Sequence, residues 1–287
     1  ESREVIKKAL DSGINFLDTA NLYSAGSSEE IVGKALKDFA NRDEIVLASK
    51  LYFPMFDGPN AKGLSRKSIF AEIDHSLKRL QTDYLDLYII HRYDYGTPIE
   101  ETMEALHDLV KMGKVRYIGA SSMHAWQFAK AQFIAEKNGW TKFVSMQNLY
   151  NLLYREEERE MIPLLQDQNV AMTPWSPLAG GRLTRDIGAI TARASQAVQA
   201  DLPAYIVASD NEVISRVHKL ADERGITRGQ VATAWMLSKD YVTAPLIGAT
   251  KVNYLDDALG AFEVALSAEE IKYLEEAYVP RNITGYR

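Results

Sequence analysis

The chain has no cysteine among its 287 residues, which excludes disulfides, thiolate metal sites and a cysteine nucleophile. No apolar stretch approaches the roughly 20 residues that a membrane helix needs. The opening Glu1-Ser2-Arg3-Glu4 also lacks the basic and apolar regions of a signal peptide. A soluble, cytoplasmic protein with no membrane partner is expected. Lysine and arginine number 33 against 39 aspartate and glutamate, a net charge of -6; nucleic acid is not expected as a partner, because phosphate binding needs a basic surface. The five histidines show no metal-ligand spacing, so no metal is expected. No Pro/Gly/Ser-rich linker divides the chain, and 1–287 reads as one domain.

What remains is an ordinary globular composition, 46% hydrophobic and 25% charged, arranged in alternating periods. Strand-like runs recur at 14–18, 44–50, 84–90, 115–119, 143–147, 170–175 and 245–248. Helical periods cover Arg3 to Leu10 and lie near 28–40, 66–80, 98–112, 123–137, 156–168, 211–224, 227–239, 252–262 and 267–277. Ser65, Thr97-Pro98 and the capping box Ser267-Ala268-Glu269-Glu270 mark helix starts. The run Glu156-Glu157-Glu158-Arg159-Glu160 places acids in a first helical turn, where the dipole favours them. Strands alternating with helices predict parallel pairing through right-handed crossovers. Seven strands are one short of an eight-stranded barrel, and the chain opens on a helix that should follow a strand. A first strand missing from the N-terminus is therefore expected. The stretch 187–210 has no clear period and reads as a functional loop.

Three polar residues directly follow strand-like runs: Asp18 after Ile14-Asn15-Phe16-Leu17, Lys50 after Glu44 to Ser49, and His91 after Tyr84 to Ile90. In a parallel barrel such strand ends converge on one mouth. Tyr23, five residues beyond Asp18, falls in the following loop. The set suits reduction of a carbonyl. Tyr23 supplies the proton, Lys50 favours the phenolate by its charge, Asp18 holds Lys50, and His91 orients the substrate oxygen. Separately, a strand-end aspartate is often a turn former, a loop tyrosine is usually packing, and a strand-end lysine also serves Schiff-base lyases and aldolases. Tyr52, Phe53, Phe56, Tyr93 and Tyr95 follow these strand ends and could wall a substrate pocket.

Asp18-Thr19-Ala20-Asn21-Leu22-Tyr23, Lys50 and Ile90-His91 resemble the signature of the aldo-keto reductases. The likeness continues through 114–122, Gln147-Asn148, Trp175-Ser176-Pro177-Leu178 and 247–251, with a bacterial-type branch suggested by Gly26 to Glu30 and Tyr278-Val279-Pro280. The resemblance implies a (β/α)8 TIM barrel whose first strand and N-terminal hairpin this chain lacks. It implies NADPH, with NADH possible, bound without a dinucleotide-binding domain, and no Gly-x-Gly-x-x-Gly occurs here. A small-molecule aldehyde or ketone is the implied substrate. The family also contains non-catalytic, NADPH-binding regulatory subunits of ion channels, which stand as an alternative.

For the cofactor, the resemblance implies Ser121, Ser122 and Gln147 at the nicotinamide carboxamide and Trp175 on the nicotinamide face. Ser176, Pro177, Leu178, Gly180 and Arg182 fall in the loop over the pyrophosphate. Gly248, Thr250, Lys251, Tyr254 and Asp257 lie toward the 2′-phosphate and adenine, at the start of a helix whose amides suit an anion. Tyr254 stands where many relatives carry Arg or Gln.

Overall fold

A computed structural model describes residues 2–189, 207–249 and 251–286. The chain forms two compact units, 1–146 and 147–287. In the first, helix α1 (Ser2–Asp11) precedes strand β1 (Phe16–Asp18), α2 (Ser27–Phe39), β2 (Val46–Leu51), α3 (Arg66–Leu80), β3 (Leu85–Ile90), α4 (Ile99–Lys111), β4 (Val115–Ser121) and α5 (Ala125–Asn138). Each helix from α1 to α4 packs on the next one. Gly13, at φ +86°, lies just past α1, and the Ser65 side chain accepts from Ser68 N at the start of α3, so these boundary signals act as their chemistry requires.

Strands β1 to β4 pair in parallel, with Asp18 beside Ala48, Ala48 beside Leu87, Lys50 beside Ile89, and Ile89 beside Gly119. Because side chains alternate with period two, this register puts Phe16, Ala48, Leu87 and Ile89 on one face and continues that face through Asp18, Lys50, His91 and Ser121. The apolar members form a buried cluster. Gly119 shares the face: a Cβ there would come within 2.4 Å of Ser145 Oγ and 3.3 Å of the Leu87 and Ile89 side chains. The opposite face of β2 and β3, including Leu47, Leu51, Tyr88 and Ile90, is buried as well, as expected of a parallel sheet covered on both sides.

Strand β5 (Ser145–Gln147) ends the first unit and opens the second, which continues with α6 (Met161–Asp167), β6 (Ala171–Met172), α7 (Asp210–Arg224), α8 (Arg228–Leu237), α9 (Val252–Gly260) and α10 (Ala268–Glu275). Its core holds Trp235, whose Nε1 donates to Glu275 at 2.8 Å and whose ring lies 5.4 Å from that of Tyr150. The capping box of Ser267 and Glu270 opens α10.

Three expectations are corrected. Six strands, not seven, form among the described residues. The run 245–248 is not one of them: Leu246 N reaches Pro174 O at 2.9 Å, but Pro174 has no N–H with which to continue a ladder. The helix expected over 156–168 breaks into a 3₁₀ turn, Glu156–Glu158, and α6. Those acids do not serve a helix dipole. Glu156 accepts from Tyr278 Oη at 2.7 Å and Arg281 N at 2.8 Å, and buried Glu157 accepts from Asn148 and Tyr286. Burial pushes the Glu157 carboxyl up to about 7. Most of the loop expected at 187–210 lies outside the described residues.

Candidate active site

Lys50 is fully buried at the C-terminal end of β2, on the face described above. An ammonium has three N–H donors, and Lys50 uses all three: one to Asp18 Oδ1, one to Thr19 O at 2.9 Å, and one to Tyr23 Oη at 3.4 Å. Burial lowers its pKa, but Asp18 and Tyr23 more than offset this and the net shift is upward, so Lys50 stays cationic. Since the Tyr23 oxygen accepts from Lys50, its own O–H is left to point elsewhere. That is the arrangement an acid needs.

Tyr23 begins a turn, Tyr23–Gly26, in which Ser24 and Ala25 both take left-handed backbone, φ +49° and +51°. Such conformations cost of order 1 kcal/mol or more each for non-glycine residues, so the surroundings must hold them. Thr19 Oγ1 meets Ser28 Oγ at 2.8 Å, and Asn21 donates to Glu72 at 2.8 Å. Buried Glu29 accepts from Ser49 at 2.5 Å and Arg79 at 2.6 Å. These bonds tie the loop from β1 to α2 onto β2 and α3. The Tyr23 ring is 39% exposed, so the phenol is anchored beneath and open above.

His91 continues the ladder one residue beyond β3, its N–H donating to Leu51 O at 2.9 Å. Its ring stands edge-on to Tyr23, with centroids 5.8 Å apart, and to Phe53 at 5.1 Å. Nδ1 is buried without a hydrogen-bond partner among the described residues. Burial first, then the Lys50 and Arg92 cations, hold the imidazole well below its usual 6.5. His91 is therefore neutral near neutrality and can donate one N–H without adding charge. We expect kcat/KM to stay flat between about pH 6 and 8, with no inflection near the ordinary histidine value. An inflection there that vanishes in His91→Gln would show that His91 titrates normally. The linked stability has the matching sign: below about pH 6.5 the unfolded chain binds a proton that the folded one refuses, so stability falls as pH falls.

Directly after His91 comes Arg92, which the sequence reading passed over. Its Nη1 donates to His91 O at 2.7 Å, and its guanidinium lies 5.4 Å from the centre of the Phe53 ring. Tyr52, whose ring meets Phe53 at 5.1 Å, has φ +148°. The place of Arg92 directly after the strand-end histidine is visible in the sequence, but a charged residue there is not by itself a signal.

The expected cofactor residues fall in both units and are taken in turn. In the first, Ser121 and Ser122 are buried with hydroxyl oxygens 3.2 Å apart, and Ser122 has φ +49°. In the second, Gln147 is buried at the end of β5. Trp175 is half-buried and donates its backbone N–H to Asn148 O at 2.9 Å, and a Cβ on Gly285 would lie 3.6 Å from its ring. Ser176, at φ +61°, accepts from Gly180 N at 3.1 Å through its hydroxyl, with buried Pro177 and half-buried Leu178 between them. Gly180, at φ +65°, has open space where a side chain would lie. Arg182 pairs with buried Asp210 at 2.7 Å. Exposed Gly248 precedes Thr250, which lies outside the described residues. Lys251 occupies the N-cap position of α9 and Tyr254 is exposed in its first turn. The Asp257 carboxylate accepts from Thr227 Oγ1, the cap of α8.

Unit by unit, the chemistry of these groups is compatible with parts of a nicotinamide dinucleotide. Hydroxyls and an amide suit a carboxamide, glycine backbone with open space suits close approach by phosphates, and an exposed lysine at a helix N-terminus suits an anion. Among the described residues no cluster could hold a metal ion, and no helix is long and apolar enough to cross a membrane.

Comparison with known proteins decides the family: the profile of the aldo/keto reductase family matches residues 1–279. The chain belongs to the aldo/keto reductase family. It is 46% identical over 310 residues to a Schizosaccharomyces pombe protein whose name assigns it provisionally as an aryl-alcohol dehydrogenase, covering 98% of this chain and 86% of that one. It is 45% identical over 307 residues to the versiconal hemiacetal acetate reductase of Aspergillus parasiticus, covering 99% and 88%. To an aldo-keto reductase of Fusarium vanettenii it is 43% identical over 311 residues, covering 100% and 84%. These relatives are fungal, so the expected bacterial-type branch is not supported. The reductase is thus an NAD(P)H-dependent oxidoreductase of a family that acts on small-molecule carbonyl compounds.

Proposed function

We propose that this reductase converts aldehydes or ketones to alcohols with NADPH, Tyr23 giving the proton. The observation that carries the reading is the saturated Lys50 ammonium: with its three donors on Asp18, Thr19 O and Tyr23 Oη, the phenol proton is free for a substrate oxygen. When bound, a nicotinamide would supply hydride to the carbonyl carbon. As charge develops on the substrate oxygen, neutral His91 donates a hydrogen bond to it and Tyr23 transfers its proton; Lys50, still cationic, stabilises the phenolate left behind. Asp18 keeps Lys50 in place and balances its charge. Ser121, Ser122, Gln147 and Trp175 are assigned to the nicotinamide end, Ser176 to Arg182 to the diphosphate, and Lys251 to the 2′-phosphate.

The (β/α)8 barrel that the family implies, as one domain over 1–287, belongs to the same reading, as does a cytoplasmic location. A Schiff-base lyase would need Lys50 as a free amine, and its pairing with Asp18 opposes that. In a titration of the protein with NADPH and NADH, saturable quenching of tryptophan fluorescence is expected, tighter for NADPH and reduced in Trp175→Phe. No quenching by either nucleotide would overturn the cofactor assignment. Tight binding without turnover of any aldehyde would favour a regulatory subunit.

A further inference from the structure

Arg92 is a cation without a counter-charge beside the reacting groups. Among the described residues no carboxylate forms an ion pair with it, and its Nε is buried with no hydrogen-bond partner. The acid nearest in sequence, Asp94, is already engaged by Leu64 N, Gly96 N and Thr97 Oγ1, each at 2.8 Å. Arg92 is half-buried, and a partly desolvated guanidinium with no carboxylate beside it is costly unless another group completes its hydrogen bonds. Burial draws its pKa down, with Tyr23 and Tyr52 opposing. The guanidinium is also well held. His91 O takes Nη1, and the Phe53 ring lies beneath it, itself edge-on to His91.

Phe53 is the ring at the guanidinium, with Tyr52 edge-on to it. A further aromatic group follows in the chain, where Tyr93 meets Tyr95 at 5.1 Å and Trp126 at 6.3 Å, and Tyr95 and Trp126 are exposed. Flat aromatic walls favour a flat apolar substrate, and a planar guanidinium favours a carboxylate, which it can bind by two parallel hydrogen bonds.

Resting on the carbonyl-reductase reading above, we propose that Arg92 selects substrate: it binds a carboxylate carried by an aromatic aldehyde or ketone whose carbonyl oxygen is presented to Tyr23 and His91. Arg92 therefore acts in specificity and not in proton transfer.

The test compares three aldehydes with NADPH: 4-carboxybenzaldehyde, its methyl ester, and a 4-trimethylammonio analogue. In the unaltered enzyme kcat/KM should rank acid, then ester, then cation. In Arg92→Gln the acid-to-ester ratio of kcat/KM should fall about 10- to 100-fold, the range expected when a charged hydrogen bond is lost, and Arg92→Lys should retain part of it. A ratio that stays within about threefold overturns the proposal, as does a preference for the cation in the unaltered enzyme. Calorimetric titration with benzoate, with benzamide as control, judges Arg92 apart from turnover. Benzoate should bind Arg92→Gln at least about tenfold more weakly, and equal affinity for both proteins counts against the assignment. Failure of the unaltered enzyme to reduce any of the three aldehydes, with benzoate binding still dependent on Arg92, would instead count against the reductase reading alone.

Discussion

Tyr23→Phe should lower kcat for aldehyde reduction by about 10³-fold, within the range that a positioned general acid contributes, while leaving NADPH affinity within about twofold. The substitution keeps the ring, and with it the edge-on contact to His91 at 5.8 Å. It removes the one atom whose proton Lys50 leaves unclaimed. Tyr23 is 39% exposed and its bond from Lys50 is long, at 3.4 Å, so folding stability should change by less than about 1 kcal/mol. Single-turnover rates with preloaded NADPH separate the chemical step from release. If the single-turnover rate of Tyr23→Phe equals that of the unaltered enzyme, Tyr23 is not the acid.

Lys50→Met should damage both catalysis and folding. It strips Asp18 of its ammonium in a site where that side chain is only 12% exposed, and it leaves Thr19 O and Tyr23 Oη without their donor. Breaking one side of a buried ion pair costs about 3–5 kcal/mol, and a loss of that size should lower Tm by about 5–8 °C in a chain of this length. The kcat should fall by about 10²-fold or more as the phenolate loses its counter-charge. Adding Asp18→Asn removes the buried negative charge that Lys50 no longer offsets, so the double variant should regain much of the lost Tm and none of the lost kcat. A double variant no more stable than Lys50→Met would mean that the ion pair is not what makes Lys50 structurally necessary.

Three of the four proposed site residues, Asp18, Lys50 and His91, were legible in the sequence because each sits where a periodic run ends, and Tyr23 because it lies in the loop just beyond one of them. In parallel strands of matched register, ends of runs become neighbours, and period two then fixes which face their side chains share. Asp18, Lys50 and His91 could therefore be grouped by counting. Arg92 could not, since nothing in a one-dimensional pattern separates a solvated arginine from one folded back onto its neighbour's carbonyl. The acids after Arg155 misled for a related reason: acids before an apolar run look like a dipole-satisfying first turn, yet Glu156 and Glu157 are engaged by Tyr278, Arg281 and Tyr286, more than a hundred residues away in the chain. The run 245–248 has strand-like composition, but whether it pairs depends on a neighbour, and that neighbour offers a proline.

By itself, then, the sequence determined the alternation of parallel strands and helices, the strand-end placement of Asp18, Lys50 and His91, and the family to which they belong, all of which follow from local periodicity and short-range chemistry. Tertiary structure alone decided how the three donors of Lys50 are spent, that His91 is held neutral, and that Arg92 stands beside them with no carboxylate paired to it among the described residues. Those are matters of charge, burial and hydrogen-bond saturation, and they are set by groups that meet only when distant segments pack together.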